Sequence, residues 1–357
     1  MSTKEMHRAL VRRSLKSIRR VSTLLTGDID NWIRRPLRPI GRKIHANVTM
    51  IDKLELILAL AREQHFGRAA ETVGVSQPSL SAGIKQLEDS FGVLLVQRGS
   101  RFLGFTPEGE RVLEWARRIV GDARAMRQDI DALKRGLAGH ITIAAIPTAL
   151  AMTAMLTTPY RAKHPEVRFR ILSKTSIEVL RLLENLEVDA GLTYLDNEPL
   201  GRVNTVPLYD EEYRLLTAPS GVMGDRDYVT WGEVASVPLC LLTPDMQNRR
   251  IIDSLLRAAG GEPSPTLESN SMIVLFAHVR TGKWASIMPV KLAETLGLTE
   301  NVRAIPIVEP AATHAIGLVV PHREPMTPLV AALVSEARSL ALALGASSAR
   351  QPSTGKK

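Results

Sequence analysis

The chain has 357 residues, of which 45% are apolar and 23% charged, the make-up of a globular protein with room for two or three domains. Its net charge of +9 sits wholly in residues 1–49, where twelve Lys/Arg face three Asp/Glu, so the remaining body is neutral and bulk charge makes no case for nucleic acid. One cysteine, Cys240, excludes an intramolecular disulfide and fits a reducing, cytoplasmic setting, and no apolar run approaches the roughly 18 residues that cross a bilayer.

Residues 1–49 offer little that could pack, and we expect a basic, disordered leader. Three readings of it stand side by side: a transit-like segment, a basic DNA-binding arm, or a translation start that truly lies at Met50. The abrupt onset of the folded pattern at Met50-Ile51-Asp52 favours the last.

Leu54, Ile57, Leu58 and Ala61 recur at helical spacing behind Asp52, the expected N-cap. His65-Phe66-Gly67 breaks that helix. A short second helix over Arg68–Val73 follows, with Ala69 and Ala70 small enough for a close crossing and Gly74 as its left-handed stop. Ser76 then N-caps a third helix, with Pro78 in its first turn and Leu80, Ile84 and Leu87 as a narrow apolar stripe ending near Phe91-Gly92. Gln77, Ser79, Ser81 and Lys85 fall on its other faces, all of them hydrogen-bond formers. Helix, short helix, tight turn and exposed helix make a helix-turn-helix, and a small polar N-terminal end suits a major groove. Val93–Val96 and Phe102–Phe105 read as a hairpin, a wing whose Arg98 and Arg101 can rest on phosphates.

Thr106-Pro107-Glu108 opens a long helix. Along it Val112, Ala116, Ile119, Ala123, Met126, Ile130 and Leu133 alternate spacings of four and three, a heptad seam that meets a partner helix and so predicts a dimer. Gly136–Gly139 is the expected hinge. Beyond it strands (141–146, 167–172, 189–193) alternate with helices (150–164, 177–186), the βαβ logic of a parallel sheet. Further strands are expected at 213–217, 239–242, 285–288 and 316–320, and helices at 249–259, 271–281, 290–296 and 329–344. The Ser-, Pro- and Lys-rich tail from Gly345 is expected to be disordered.

Enzyme signatures are missing from the sequence. It has no HExxH, Walker loop, GxSxG or GxGxxG, and no metal-spaced Cys/His cluster, so no catalytic residue, metal or cofactor is expected. The eight histidines are scattered, and structural or solvated roles are expected for them. What the second half offers is helix starts that follow strands: Thr148 after the first strand, Thr175-Ser176-Ile177-Glu178 with capping-box spacing, and Gln247, Asn248 and Arg249, with Asn248 as the cap. Such termini suit a small anion, and their convergence at strand ends points to a binding cleft.

These residues resemble the LysR-type transcriptional regulators from about Met50 to Leu340. The resemblance rests on Ala69-Ala70, on Ser76-Gln77-Pro78-Ser79-Leu80-Ser81 with Ile84, Leu87-Glu88 and Gly92, and on Arg98 with Thr106-Pro107-Glu108-Gly109. It implies a winged helix-turn-helix at 50–106, a linker and dimerisation helix at 107–138, and a two-lobed effector domain like a periplasmic binding protein at 139–344. One lobe would take about 140–212 and 314–340, the other about 213–313. It also implies a homodimer or homotetramer on double-stranded operator DNA that answers a small-molecule effector, with Gln77, Pro78 and Ser81 toward the DNA and Thr148 and Ser176 lining the cleft. Ala82 departs from the basic residue common there, so one DNA contact is missing. Leu186 stands where glycine is usual. The peroxide-sensing branch needs two cysteines, which a lone Cys240 does not supply. The expected function is therefore sequence-specific operator binding, modulated by a small anionic metabolite, in a cytoplasmic protein that is not an enzyme. A solute-binding receptor with an unrelated N-terminal module is the alternative.

Overall fold

A computed structural model describes residues 49–99, 102–295 and 301–345. The expectations for the leader before Thr49, for Arg101 and for the tail after Gly345 lie outside these residues. The chain divides into two compact units at Ala123/Arg124.

In the first unit, helix α1 (Met50–Glu63) is capped three residues earlier than the expected Asp52. Thr49 is the N-cap, its hydroxyl accepting from the Asp52 N–H, while the Asp52 carboxylate takes the Thr49 N–H at 3.0 Å. Asp52 is thus the far half of a capping box, where its charge also meets the positive helix end. Helix α2 (Phe66–Val73) begins two residues before Arg68, because His65 Nδ1 caps it by accepting from the Gly67 and Arg68 N–H groups. Gly74 closes it with φ of 70°. Helix α3 (Gln77–Phe91) follows, N-capped by Ser76 and stopped at Gly92. Leu80, Ile84 and Leu87 are fully buried against an inward face that includes Leu54, Ile57, Ala69 and Ala70. Gly83 faces α1, where a Cβ would stand 2.4 Å from Leu56 Cδ1.

The wing is strand β1 (Val96–Arg98) against strand β2 (Phe102–Phe105), antiparallel with Val96 opposite Phe105. The expected strand at Val93–Val96 begins three residues later, at Val96. The Leu95 and Val96 N–H groups are already held by the buried Glu88 carboxylate, at 3.0 and 3.2 Å, and Val93 and Leu94 lie exposed. Phe102 packs edge-on to Phe66 and Phe105, which seats the wing on the helices. Helix α4 (Pro107–Arg135) leaves the wing with Thr106 Oγ1 accepting from the Gly109 N–H at 3.0 Å.

The second unit begins with strand β3 (Gly139–Ala145), flanked in parallel by β4 (Val167–Ser173) and β5 (Ala190–Tyr194). A 3-10 turn over Pro147–Met152 precedes α5 (Thr153–Lys163), so the helix expected from Leu150 starts three residues late. Helix α6 (Ser176–Glu184) links β4 to β5, and Leu186 turns the corner with a left-handed φ of 57°, the conformation that explains the usual glycine. Strand β6 (Val203–Thr217) is the long member. Its Val203–Glu212 portion pairs with β12 (Thr313–Pro321) and its Tyr213–Thr217 portion with β10 (Ser286–Pro289) and β11 (Arg303–Val308). β6 is therefore common to two lobes.

The parallel-sheet expectation needs correction. β12 runs antiparallel to both β5 and β6, so the eight-stranded sheet is mixed, in the order β4-β3-β5-β12-β6-β11-β7 with β10 on β6. Strand β7 (Val229–Thr230) leads into the short helix α7 (Trp231–Val234). A separate pair, β8 (Cys240–Leu242) and β9 (Leu267–Ser269), packs with helix α8 (Gln247–Ala258) and helix α9 (Met272–Val279). Helix α10 (Val290–Thr295) and helix α11 (Pro328–Ala343) complete the unit. Its main core gathers Ile141, Leu156, Tyr160, Leu192, Leu215, Trp231, Ile252 and Leu333, all nearly sealed from solvent.

Candidate functional site

The first unit presents α3 as an outward edge. With Leu80, Ile84 and Leu87 turned in, Gln77, Pro78, Ala82 and Lys85 are exposed and Ser79 and Ser81 half-buried. The Ser76 hydroxyl accepts from the Ser79 N–H and shares a 2.8 Å hydrogen bond with the Ser79 hydroxyl. The first turn is thus fixed by its own cap and leaves the Gln77 amide and Ser81 hydroxyl to other partners. Helix N-termini with free donors and acceptors bind phosphates and base edges alike. Arg98 lies on β1, and Arg101 falls outside the described residues.

On α4 the seam residues do not share one environment. Ala116 is fully buried within the chain, so it leaves the expected stripe; Val112, Ala123 and Ile130 are half-buried. Ile119, Met126 and Leu133 stand exposed, Leu133 by 88%, and Trp115 joins them. The open apolar line is therefore 115, 119, 126 and 133, still at heptad spacing.

In the second unit the C-terminal ends of parallel β3, β4 and β5 open onto the turns that carry Thr148, Ser176 and Asp196, the crevice where open α/β sheets bind ligands. From the other lobe, α8 faces it. Asn248 is not the cap of α8: Met246 occupies that position with no side-chain hydrogen bond, which frees the Asn248 amide to donate to Tyr194 Oη at 3.2 Å. Gln247 donates to the Asp196 carbonyl at 3.1 Å. Arg249 goes elsewhere, into ion pairs with Asp253 and Glu268 and onto the Leu242 carbonyl, all within its own lobe. Its neighbour Arg250 crosses instead. It pairs with Glu198, whose other oxygen accepts from the Ser176 hydroxyl at 3.1 Å. The start of α6 thus already holds a carboxylate, supplied by the chain itself.

Beneath this lies a group that sequence reasoning missed. Glu211 on β6 is 0% exposed, accepts from Tyr194 Oη through Oε1, and leaves Oε2 without a partner among the described residues. Burial, reinforced by the nearby Asp196 charge, pushes its carboxyl up to about 8 against the pull of Tyr194, Thr148 and Tyr213. The Thr148 hydroxyl is buried within range of this carboxyl yet closes no well-formed hydrogen bond. Tyr194 and Tyr213 bring their hydroxyls to 3.4 Å of each other, both held far above the usual phenol range by burial and by Glu211. The ring of His314, on β12, stands about 6 Å from each of them, with Nδ1 turned to Asp196 and Asn197. The available signal was the period-two run Tyr209-x-Glu211-x-Tyr213, which puts an acid on an aromatic face.

Cys240 is buried at the start of β8, and burial pushes its thiol up to about 11. Among the described residues, no group of three or more His, Cys, Asp or Glu could hold a metal, and no helix is long and apolar enough to cross a membrane.

Comparison with known proteins agrees with this division. The family model for the LysR substrate binding domain matches residues 134–341, and that for bacterial regulatory helix-turn-helix proteins of the lysR family matches residues 51–110. The DNA-binding transcriptional dual regulator OxyR of Escherichia coli K12 is 26% identical over 278 residues, covering 75% of this chain and 88% of that protein. A full-length OxyR variant from Pseudomonas aeruginosa superposes with a TM-score of 0.64 at 26% identity, over 82% of this chain and 96% of that one. CbnR, solved in complex with its target DNA, shares the fold with a TM-score of 0.53 at 21% identity, over 82% of this chain and 100% of that one.

Proposed function

The chain belongs to the LysR family of transcriptional regulators, with a helix-turn-helix DNA-binding module and an effector-binding domain, and from that premise we propose how its own residues divide the work. Helix α3 lies in the major groove, with Gln77, Ser79 and Ser81 toward base edges, Pro78 and Lys85 toward the backbone, and Arg98 and Arg101 of the wing on phosphates. The observation that carries this is the sorting of α3 into a sealed apolar stripe and a capped, outward polar first turn. Ala82 offers no hydrogen bond at the outermost position, so Lys85 and the wing bear more of the phosphate contact.

Two such helices are paired through the open α4 stripe of Ile119, Met126 and Leu133, extended by Trp115, in a homodimer or a dimer of dimers. The working divisions are a DNA-binding domain at 50–106, a linker helix at 107–138 and an effector domain at 139–344. A small ligand with an anionic group enters between the lobes and exchanges for Glu198 on Ser176 and Arg250, which resets the lobe packing and hence the spacing of the paired helices. The protein works in the cytoplasm and carries no enzymatic activity. Its relatives include peroxide-responsive activators, but with one buried cysteine it has no thiol pair to oxidise. The solute-receptor alternative is not favoured, since it leaves the helix-turn-helix match unexplained.

The test is a fluorescence-anisotropy titration of duplexes tiling the promoter region of the protein's own locus. Gln77→Ala and Ser81→Ala each weaken the specific complex by roughly 1–3 kcal/mol with thermal stability unchanged. Affinity equal to the parent in both variants would refute the placement of α3.

A further inference from the structure

We propose that the effector presents a protonated amine to Glu211, inside a wall formed by Tyr194, Tyr213 and His314. The proposal rests on the inter-lobe cleft being the effector site and adds the chemical class of the ligand.

Charge leads to this choice. The charged group acting on Glu211 is a second acid, Asp196, which repels it. The two arginines at the start of α8 are both engaged, Arg249 by Asp253 and Glu268 and Arg250 by Glu198. A buried acid with an idle oxygen, an acidic neighbour and no arginine to spare favours a cation.

Hydrogen-bond capacity leads the same way. Glu211 Oε2, Thr148 Oγ1 and Tyr209 Oη are all buried without a partner among the described residues; Thr148 acts on Glu211, and Glu211 in turn raises Tyr209. An alkylammonium carries three donors and no acceptor, and the idle carboxylate oxygen together with the lone pairs of the two hydroxyls can accept them. Aromatic rings line the same place. Tyr194 donates to the Glu211 carboxyl, Tyr213 brings its hydroxyl to 3.4 Å of the Tyr194 hydroxyl and is backed edge-on by Trp231, and aromatic faces attract ammonium groups most when desolvated. Glu211 is reached from both lobes, since Tyr194 Oη is bridged to α8 by Asn248. An amine bound there therefore reports on the same lobe contact that an anionic group at Ser176 would alter, and a ligand carrying both groups would span the cleft.

Binding of an amine converts Glu211 to its charged form, so near pH 7 it expels close to one proton to the buffer. The groups facing it are Tyr194 from β5, Asp196 from the following loop, Tyr209 and Tyr213 from β6, and His314 from β12.

The experiment uses the full-length protein with n-propylammonium chloride and, in parallel, sodium propionate at matched ionic strength, followed by thermal-shift titration and calorimetry. The amine raises the unfolding midpoint in a saturable way, and Glu211→Gln weakens that response at least tenfold. In the unsubstituted protein, the calorimetric heat varies with the buffer's ionisation enthalpy as release of about one proton requires, a readout that stands even if the variant fails to fold. A response undiminished in Glu211→Gln, or binding without proton release, overturns the proposal. If propionate acts and the amine does not, the cleft holds an effector but Glu211 is not its amine site. If neither probe acts, the amine assignment falls together with the cleft reading.

Discussion

Replacing Glu88 tests how the DNA-reading helix is tied to the wing. Its carboxylate is 4% exposed and accepts from the Leu95 and Val96 N–H groups at 3.0 and 3.2 Å, bridging the last turn of α3 to the start of β1. Glu88→Ala strands both N–H groups in the interior. At about 1–3 kcal/mol for each buried group left unpaired, the loss is roughly 2–6 kcal/mol. At about 4–8 °C per kcal/mol for a domain of this size, the DNA-binding unit unfolds at least ~8 °C lower. Glu88→Gln keeps a carbonyl oxygen in place but loses the charge, and charge-assisted bonds are about twice as strong as neutral ones, so it loses about half as much. Circular dichroism melts of the three proteins read the order directly, and operator affinity follows it as the wing loosens. Parent-like melting of Glu88→Ala, or equal losses for Ala and Gln, would refute the reasoning.

Two glycines at close approaches should differ in what a methyl costs. Gly109→Ala puts a methyl 2.0 Å from the Leu95 carbonyl oxygen, a backbone atom that cannot step aside, and costs more than about 2 kcal/mol in a denaturant melt. Gly83→Ala meets only the Leu56 Cδ1 methyl at 2.4 Å and costs less than that. Glu211 sets a pH dependence: its folded value of about 8 lies above the ordinary 4.5, so the unfolded chain sheds the proton first. Stability of the parent relative to Glu211→Gln therefore falls as pH rises from about 4.5 through 8 and levels above; a flat difference contradicts the burial argument. Cys240, buried and pushed up to about 11, stays unmodified by a thiol reagent in the native protein and reacts on unfolding. Rapid native labelling, or loss of DNA binding on peroxide treatment that Cys240→Ser abolishes, would show a thiol switch.

Local chemistry made much of the molecule legible before any coordinates. Ser76, Thr106 and Thr175 announce their helices because a cap is a bond between near neighbours, and Leu80, Ile84 and Leu87 follow a period that a helix imposes. What escaped depends on distant partners. Strand β6 was expected only over 213–217, because Pro207 and the run Asp210-Glu211-Glu212 give no apolar strand pattern; only the register with β12, including the irregularity at Ile316/Gly317, turns Glu211 inward. Arg249 and Arg250 are indistinguishable in sequence, and which one crosses the cleft is decided by the rotation of α8 after Met246. The seam of α4 was readable as a period but not its exact face, since burial of Ala116 depends on what else packs there.

The most direct test of the account is the salt dependence of binding to a promoter duplex from the protein's own locus, beside a scrambled duplex of equal length. The specific complex is expected to be at least ~10³ tighter than the scrambled one at physiological salt, with log affinity falling linearly with log salt and the slope reduced by about 1 in Lys85→Ala. Equal affinity for both duplexes, or a slope untouched by Lys85→Ala, would contradict it.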